Sequence, residues 1–167
     1  MDPMVIRQHF RYLQRAKVSV LAVSWWGQAH KQESTDNQGV STDNTVALLL
    51  EFADETHTQK YSQAPSEDTE ADKDTEADKE AQAVSVCFHM EPYPGRTAQS
   101  TLQDLQYIHE KYGHHPSLAR RPEDGRVIFY IYDSYHIAAA DWADIFSVSG
   151  MHVPRSTLSS GTILDCF

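Results

Sequence analysis

Three short stretches of the sequence combine aromatic rings with carboxylate, imidazole and guanidinium groups. They supply the candidate binding residues, in chain order Trp25, Trp26, His89, Glu91, Tyr93, Arg96, Tyr132, Asp133 and Tyr135. A sugar ring has an apolar C–H face and an equator of hydroxyls, so it is held by aromatic stacking and by hydrogen bonds from charged groups. Because the sequence contains no glycine-rich phosphate loop, this set favours a carbohydrate ligand over a nucleotide.

Most of these residues also have a structural interpretation. Successive residues of a strand point to opposite faces, so either Trp25 or Trp26 can belong to the core. His89 can be a structural hydrogen-bonding histidine, and Arg96 can pair with a neighbouring carboxylate instead of a ligand. Glu91 is different, because a carboxylate just before a proline turn is hard to explain by packing. We therefore predict a role in the site for Glu91.

Apolar runs precede the three polar stretches and have the length and β-branched content of buried strands. They cover residues 18–23, 84–88 and 127–132, and residues 161–164 can begin a fourth strand. Helical patterns alternate with them, at residues 3–16, 43–53, 97–112 and 139–146. Asp2 followed by Pro3 predicts the start of the first helix, Thr42 or Asp43 can cap the second, and Gly113 stops the third. This alternation predicts an α/β fold with a parallel sheet and right-handed crossovers. The polar stretches should then converge at the carboxyl ends of the strands, where ligands bind in such folds.

The length of the chain limits the architecture. A complete (β/α)8 barrel usually needs about 250 residues, and the sequence has 167. Four strands therefore form either a small open sheet or half of a closed barrel, and periodicity alone does not separate these alternatives.

Residues 60–82 differ sharply in composition from the rest of the chain. They contain the hexapeptide Asp-Thr-Glu-Ala-Asp-Lys twice, at residues 68–73 and 74–79. Charge-rich sequence with few apolar residues cannot offset its own ordering entropy, which predicts a disordered acidic insertion. We therefore divide the chain into residues 1–59, the insertion at 60–82, and residues 83–167. A binding role for the acidic tract, toward a metal or a basic partner, is the alternative.

Composition also argues against several classes of function. The net charge is −10 and no basic stripe is present, so we predict no nucleic-acid binding. The nine histidines include no zinc-binding spacing, and we predict neither a metal nor another cofactor. We find no apolar run of the ~18 residues that a membrane helix needs, and no signal peptide or other targeting signal. Of the two cysteines, Cys87 is expected to be a buried thiol.

Taken together, the motifs resemble one family, glycoside hydrolase family 99, the endo-α-mannosidases. The resemblance is carried first by the three stretches Val-Leu-Ala-Val-Ser-Trp-Trp-Gly at 20–27, Phe-His-Met-Glu-Pro-Tyr-Pro-Gly-Arg at 88–96 and Phe-Tyr-Ile-Tyr-Asp-Ser-Tyr-His at 129–136. Shorter matches are Asp-Pro-Met-Val-Ile at 2–6, Lys-Tyr-Gly-His-His-Pro at 111–116 and Trp-Ala at 142–143. The matches occur in order along the chain, interrupted by the acidic insertion.

The resemblance implies a partial (β/α)8 TIM-type barrel of about four β/α units. It implies an enzyme that cleaves α-mannosides internally, with retention and without a metal, through a 1,2-anhydro sugar formed by the substrate's own 2-hydroxyl. The animal members are membrane-anchored Golgi enzymes that act on glucosylated N-glycans. They cut an α-1,2-mannosyl bond and release a glucosyl-α-1,3-mannose disaccharide. An α-mannoside oligosaccharide is thus the expected ligand.

The chain departs from the family pattern at the catalytic residues. The family's two catalytic glutamates lie in an Asn-Glu-Trp-x-Glu type motif, which these 167 residues do not contain. The family's first strand, with its aromatic residues, is also not found before Asp2. We therefore predict no catalytic residue, and Glu91 and Asp133 are expected to bind or support. The expectation is a central part of the barrel that keeps part of the sugar-binding rim; the alternative is a catalytically inactive carbohydrate-binding or interaction module.

Overall fold

The computed structural model describes residues 2–28, 42–62, 82–149 and 162–166. Helices and strands alternate along them as predicted. The elements are α1 (Pro3–Arg15), β1 (Val20–Trp25), α2 (Asp43–Ser62), β2 (Ser85–Met90), α3 (Ala98–Tyr112), β3 (Val127–Ile131), α4 (Ala139–Ser149) and β4 (Thr162–Cys166), with a short 3-10 turn at Ser134–His136 before α4. Most of the predicted acidic insertion, residues 63–81, lies outside the described residues.

The four strands form one sheet in the order β1-β2-β3-β4. Strand β2 pairs in parallel with both β1 and β3, which confirms the predicted α/β fold with a parallel sheet for these three strands. Strand β4 runs antiparallel to β3, so the expectation of a fully parallel sheet was wrong at this edge. The connection from β3 to β4 explains why alternation did not fix the direction. A parallel partner needs a crossover of a dozen or more residues, and a connection that long also lets a strand return in the opposite sense.

The main core lies between the sheet and helices α1, α2 and α3. Side chains of alternate strand positions, among them Val23, Phe88 and Phe129, pack there with Leu50 of α2 and Ile108 of α3. The opposite face of the sheet carries the residues in between. The register aligns Ser24 with His89 and His89 with Tyr130, so these three side chains form a row near the carboxyl ends of the strands.

The start of α1 follows the predicted capping chemistry. Asp2 caps α1, accepting a hydrogen bond from the Met4 amide, with Pro3 in the first turn. Thr97 and Ser100 form a reciprocal capping box at the start of α3. The Arg7 guanidinium donates to both carboxylate oxygens of Glu55, which joins α1 to α2.

A hydrogen bond also fixes where the chain re-enters the sheet after α2. The buried hydroxyl of Thr56 in α2 accepts from the Val84 amide at 2.9 Å, immediately before β2. Cys87 is buried within β2, as predicted, and burial raises the pKa of its thiol to about 11. The thiol is therefore protonated at neutral pH and unreactive.

Candidate functional site

The ends of β1, β2 and β3 meet at one edge of the sheet. The sheet hydrogen bonding continues past the strands, since the Glu91 amide donates to the Trp25 carbonyl at 3.0 Å and the Tyr132 amide donates to the Met90 carbonyl at 3.1 Å. The polar residues that follow the strands therefore leave the sheet side by side. We call His89, Glu91, Arg96, Tyr132 and Asp133 the strand-end cluster.

His89 and Glu91 form the centre of the strand-end cluster. Nδ1 of His89 lies 2.8 Å from Oε1 of Glu91, and the two side chains keep 24% and 12% of their surface exposed. The His89 ring stacks on Tyr130, with centroids 4.8 Å apart and planes inclined by 13°, and lies 5.4 Å from the ring of Tyr132. These contacts hold the imidazole and the carboxylate in fixed positions while both remain partly accessible.

Arg96 connects the loop after β2 to the end of β3. Its Nη2 donates to the carbonyl of Asp133 at 2.8 Å. Its Nη1 is buried and has no hydrogen-bond partner within the described residues. Burial lowers the pKa of Arg96, and the nearby Tyr93, Asp133 and Glu91 oppose this shift. A guanidinium remains charged at neutral pH. Arg96 therefore keeps one donor group, unpaired among the described residues, in surroundings from which water is partly excluded.

Asp133 has a backbone conformation that few residues other than glycine adopt. Its φ is +53°, in the left-handed region. Such conformations occur more often at functional sites, where neighbouring contacts hold them in place. Asp133 also accepts a hydrogen bond from Tyr135, which raises the pKa of the Tyr135 hydroxyl. The rings of Tyr132 and Tyr135 are 41% and 69% exposed, which is high for aromatic side chains.

Trp25 and Tyr93 lie elsewhere than the binding prediction suggested. Trp25 is only 1% exposed, and its indole Nε1 donates to Oδ1 of Asp43 at 3.2 Å, so the structure places it in the core. The Tyr93 hydroxyl donates to Oδ2 of Asp104 and lies 2.8 Å from the Ser100 hydroxyl, both on α3, and burial raises its pKa. The Tyr93 hydroxyl is therefore hydrogen-bonded to α3. Trp26 is half-buried, and the Thr42 hydroxyl accepts from its amide at 3.0 Å.

Asp43, predicted only as one of two possible helix caps, is the centre of a buried network. We call this the Asp43 cluster, formed by Asp43, Trp25, Tyr107, Lys111 and Tyr112. The Asp43 side chain is 0% exposed and accepts from Tyr107 Oη at 2.6 Å, Lys111 Nζ at 2.8 Å and Tyr112 Oη at 2.9 Å, in addition to Trp25. Burial acts to raise the pKa of Asp43, but hydrogen bonds from Lys111, Tyr107, Trp25 and Tyr112 lower it overall.

Asp104 and Gln28 were also missed. Both are buried, and Nε2 of Gln28 donates to Oδ1 of Asp104 at 2.9 Å. A signal for Asp104 was present in the sequence. It shares the buried face of α3 with Leu105 and Ile108, and an acid on an apolar helix face must have a partner.

Residues 2–28, 42–62, 82–149 and 162–166 contain no cluster of three or more histidine, cysteine or acidic side chains able to hold a metal ion. Within the same ranges, no helix has both the length and the apolar character needed to cross a membrane.

Comparisons with known proteins agree with the motifs. The family model for glycosyl hydrolase family 99 matches residues 61–166. Glycoprotein endo-alpha-1,2-mannosidase of Mus musculus is 32% identical over 98% of this chain, and the Homo sapiens glycoprotein endo-alpha-1,2-mannosidase-like protein is 28% identical over the same share. The chain spans about 30% of the length of each of these relatives.

Solved structures give the same result. The structure of the family 99 endo-alpha-mannosidase from Bacteroides thetaiotaomicron matches with a TM-score of 0.61 and 33% identity. The match covers 89% of this chain and 33% of that one. A second structure of that enzyme, in complex with BIS-TRIS-propane, matches with a TM-score of 0.60 and 34% identity over 89% of this chain and 34% of that one. The chain belongs to glycosyl hydrolase family 99.

Proposed function

We propose that this chain forms part of the substrate-binding surface of an endo-α-1,2-mannosidase that acts on α-mannosides of N-glycans. The observation that carries the proposal is the pairing of His89 with Glu91 beside Arg96, because all three are held in place yet keep capacity for a ligand. The names of the relatives support the linkage and the substrate class.

The strand-end cluster suits the chemistry of a mannoside. A carboxylate has about four acceptor positions, and among the described residues the Glu91 side chain hydrogen-bonds only to His89, so it can accept from sugar hydroxyls. Nη1 of Arg96 can donate to a hydroxyl or a ring oxygen. The exposed rings of Tyr132 and Tyr135 can stack on the C–H face of a sugar, and Trp26 extends this surface toward β1.

The proposal assigns binding to these residues and assigns the bond cleavage to none of them. Hydrolysis of a glycoside needs two carboxyl groups that flank the scissile bond. Glu91 is already engaged with His89, and the Asp133 carboxylate accepts from Tyr135. Cleavage with retention through the substrate's 2-hydroxyl, and action on glucosylated N-glycans in the Golgi, are the finer parts of the proposal and follow the family resemblance.

Binding of a defined mannoside tests the proposal. Titration calorimetry with α-1,2-mannobiose should give a measurable affinity for the chain, and Glu91→Gln should weaken it about tenfold, because one charge-assisted hydrogen bond is lost. Glu110→Gln is the matched control, since Glu110 is exposed on α3 away from the cluster. A chain that melts cooperatively but binds no mannoside, or equal affinities for wild type and Glu91→Gln, contradicts the proposal.

A further inference from the structure

We infer that Asp104 is a positioning residue that ties the loop after β1 to the loop after β2 and thereby sets the geometry of the strand-end cluster. The inference rests on the proposed function for its effect on mannoside affinity. The juxtaposition itself stands on the contacts of Asp104 alone. Its test must therefore include a measurement that does not depend on the ligand.

Asp104 lies in the middle of α3 on the face that packs against the core. It is 2% exposed, and Leu105 and Ile108 on the same face are fully buried. A buried carboxylate without partners is strongly disfavoured, so its place here depends on the groups that hydrogen-bond to it.

Each carboxylate oxygen of Asp104 serves a different loop. Oδ1 accepts from Nε2 of Gln28, which is 6% exposed and follows β1. Oδ2 accepts from the hydroxyl of Tyr93, which follows β2, at 2.8 Å. The two donors are far apart in the chain, so one buried side chain fixes Gln28, just after β1, relative to the loop after β2.

The contact with Tyr93 continues into the strand-end cluster. The amide of Arg96 donates to the carbonyl of Tyr93 at 3.1 Å, which closes the turn through Pro94 and Gly95. Glu91 lies two residues before Tyr93, and its amide is bonded to β1. Fixing the Tyr93 hydroxyl therefore fixes the turn between Glu91 and Arg96. This gives Tyr93 an indirect role, in place of the direct sugar contact that its position in the sequence suggested.

A pair of single variants and their combination separate the two roles of Tyr93. If Tyr93 acts through Asp104, Tyr93→Phe and Asp104→Asn should each weaken α-1,2-mannobiose binding about tenfold, and the double variant should be no weaker than the worse single variant. If Tyr93 contacts the sugar directly, the loss of binding free energy in Tyr93→Phe should add fully to the loss in Asp104→Asn. Additive losses would overturn the inference.

Leu105→Ala is the control for a purely structural effect. Leu105 is fully buried next to Asp104, so this variant loses stability without touching either loop. Mannobiose affinity should be unchanged in Leu105→Ala at a temperature where it is folded. An equal loss of affinity in Leu105→Ala would show that Asp104 acts only through stability and would reject the positioning role.

A ligand-free measurement distinguishes failure of this inference from failure of the proposed function. In NMR spectra without sugar, Tyr93→Phe should shift both the side-chain amide signals of Gln28 and the backbone amide signal of Arg96. Leu105→Ala should not produce this joint shift. If the shift is present but wild type binds no mannobiose, the proposed function fails and the positioning geometry stands. If Gln28 and Arg96 do not respond, the positioning role fails whatever the affinity.

Discussion

The Asp43 cluster and the strand-end cluster contain similar side chains but differ in burial and in hydrogen bonding. Each contains carboxylate, cationic and tyrosine groups near the carboxyl end of a strand. In the first, Asp43 is fully buried and accepts hydrogen bonds from four side chains. In the second, Glu91 is partly exposed and a nitrogen of Arg96 is buried without a described partner. The comparison teaches that the degree of hydrogen-bond saturation, and not the residue types, distinguishes the structural network from the proposed binding surface.

The largest change in the free energy of unfolding should come from removing the charge of Asp43, at the centre of the saturated network. Asp43→Asn should lower the free energy of unfolding by about 3 kcal/mol, because the amide meets four donors and leaves Lys111 without its counter-charge. Urea unfolding followed by circular dichroism measures the change. Glu51→Gln, an exposed carboxylate on the same helix, is the control and should change the free energy by less than about 0.5 kcal/mol. A similar small change in Asp43→Asn would mean that the network does not stabilise the fold.

Lowering the pH should gradually remove the stabilisation of the fold by the ionised Asp43 carboxylate. Because the pKa of Asp43 in the folded chain lies below its unfolded value of about 3.9, the stabilisation is complete above that value and is lost as the pH falls through the folded pKa. The difference in unfolding free energy between wild type and Asp43→Asn should therefore be largest near neutral pH and should narrow below about pH 4. Urea midpoints measured between pH 7 and pH 3 give this difference. A constant difference over the whole range would contradict the assigned ionisation.

The smallest effect comes from removing one hydroxyl in each cluster, which tests saturation with the same chemical change. Tyr112→Phe deletes a buried donor to Asp43 and should cost about 1.5 kcal/mol of unfolding free energy. Tyr132→Phe removes a hydroxyl from a ring that is 41% exposed and should cost less than about 0.5 kcal/mol. Thermal and urea unfolding of both variants compares them directly. Equal losses would mean that the two clusters are not distinguished by saturation.

Much of the fold was predictable because it depends on local patterns. The apolar runs identified the strands of the parallel sheet, and Asp2, Pro3 and Gly113 marked helix ends that the structure contains. The direction of β4 was not predictable, because the strand pattern of its residues is the same in either direction.

The candidate site was predictable in its position but not in its connections. Strand periodicity placed Trp25 and Trp26 on opposite faces without saying which one enters the core. The structure buries Trp25, whose indole donates to Asp43 of α2. The partners of Asp43 and Asp104 lie far away in the sequence, so their networks depend on tertiary contacts. Residue type alone therefore suggested that Tyr93 binds sugar, whereas its hydroxyl points to α3.

The bond between Thr56 and the Val84 amide has a consequence for how this chain tolerates insertions. This bond joins α2, before the acidic hexapeptides, to the residue that precedes β2, after them. The positions of α2 and β2 therefore do not depend on the length of the chain between them. The entropy of closing a connection grows only with the logarithm of its length, and doubling the length costs about 0.6 kcal/mol. A tandem duplication of six residues at this position is thus close to neutral for folding, and repeat expansion can lengthen the segment without a compensating change in the core.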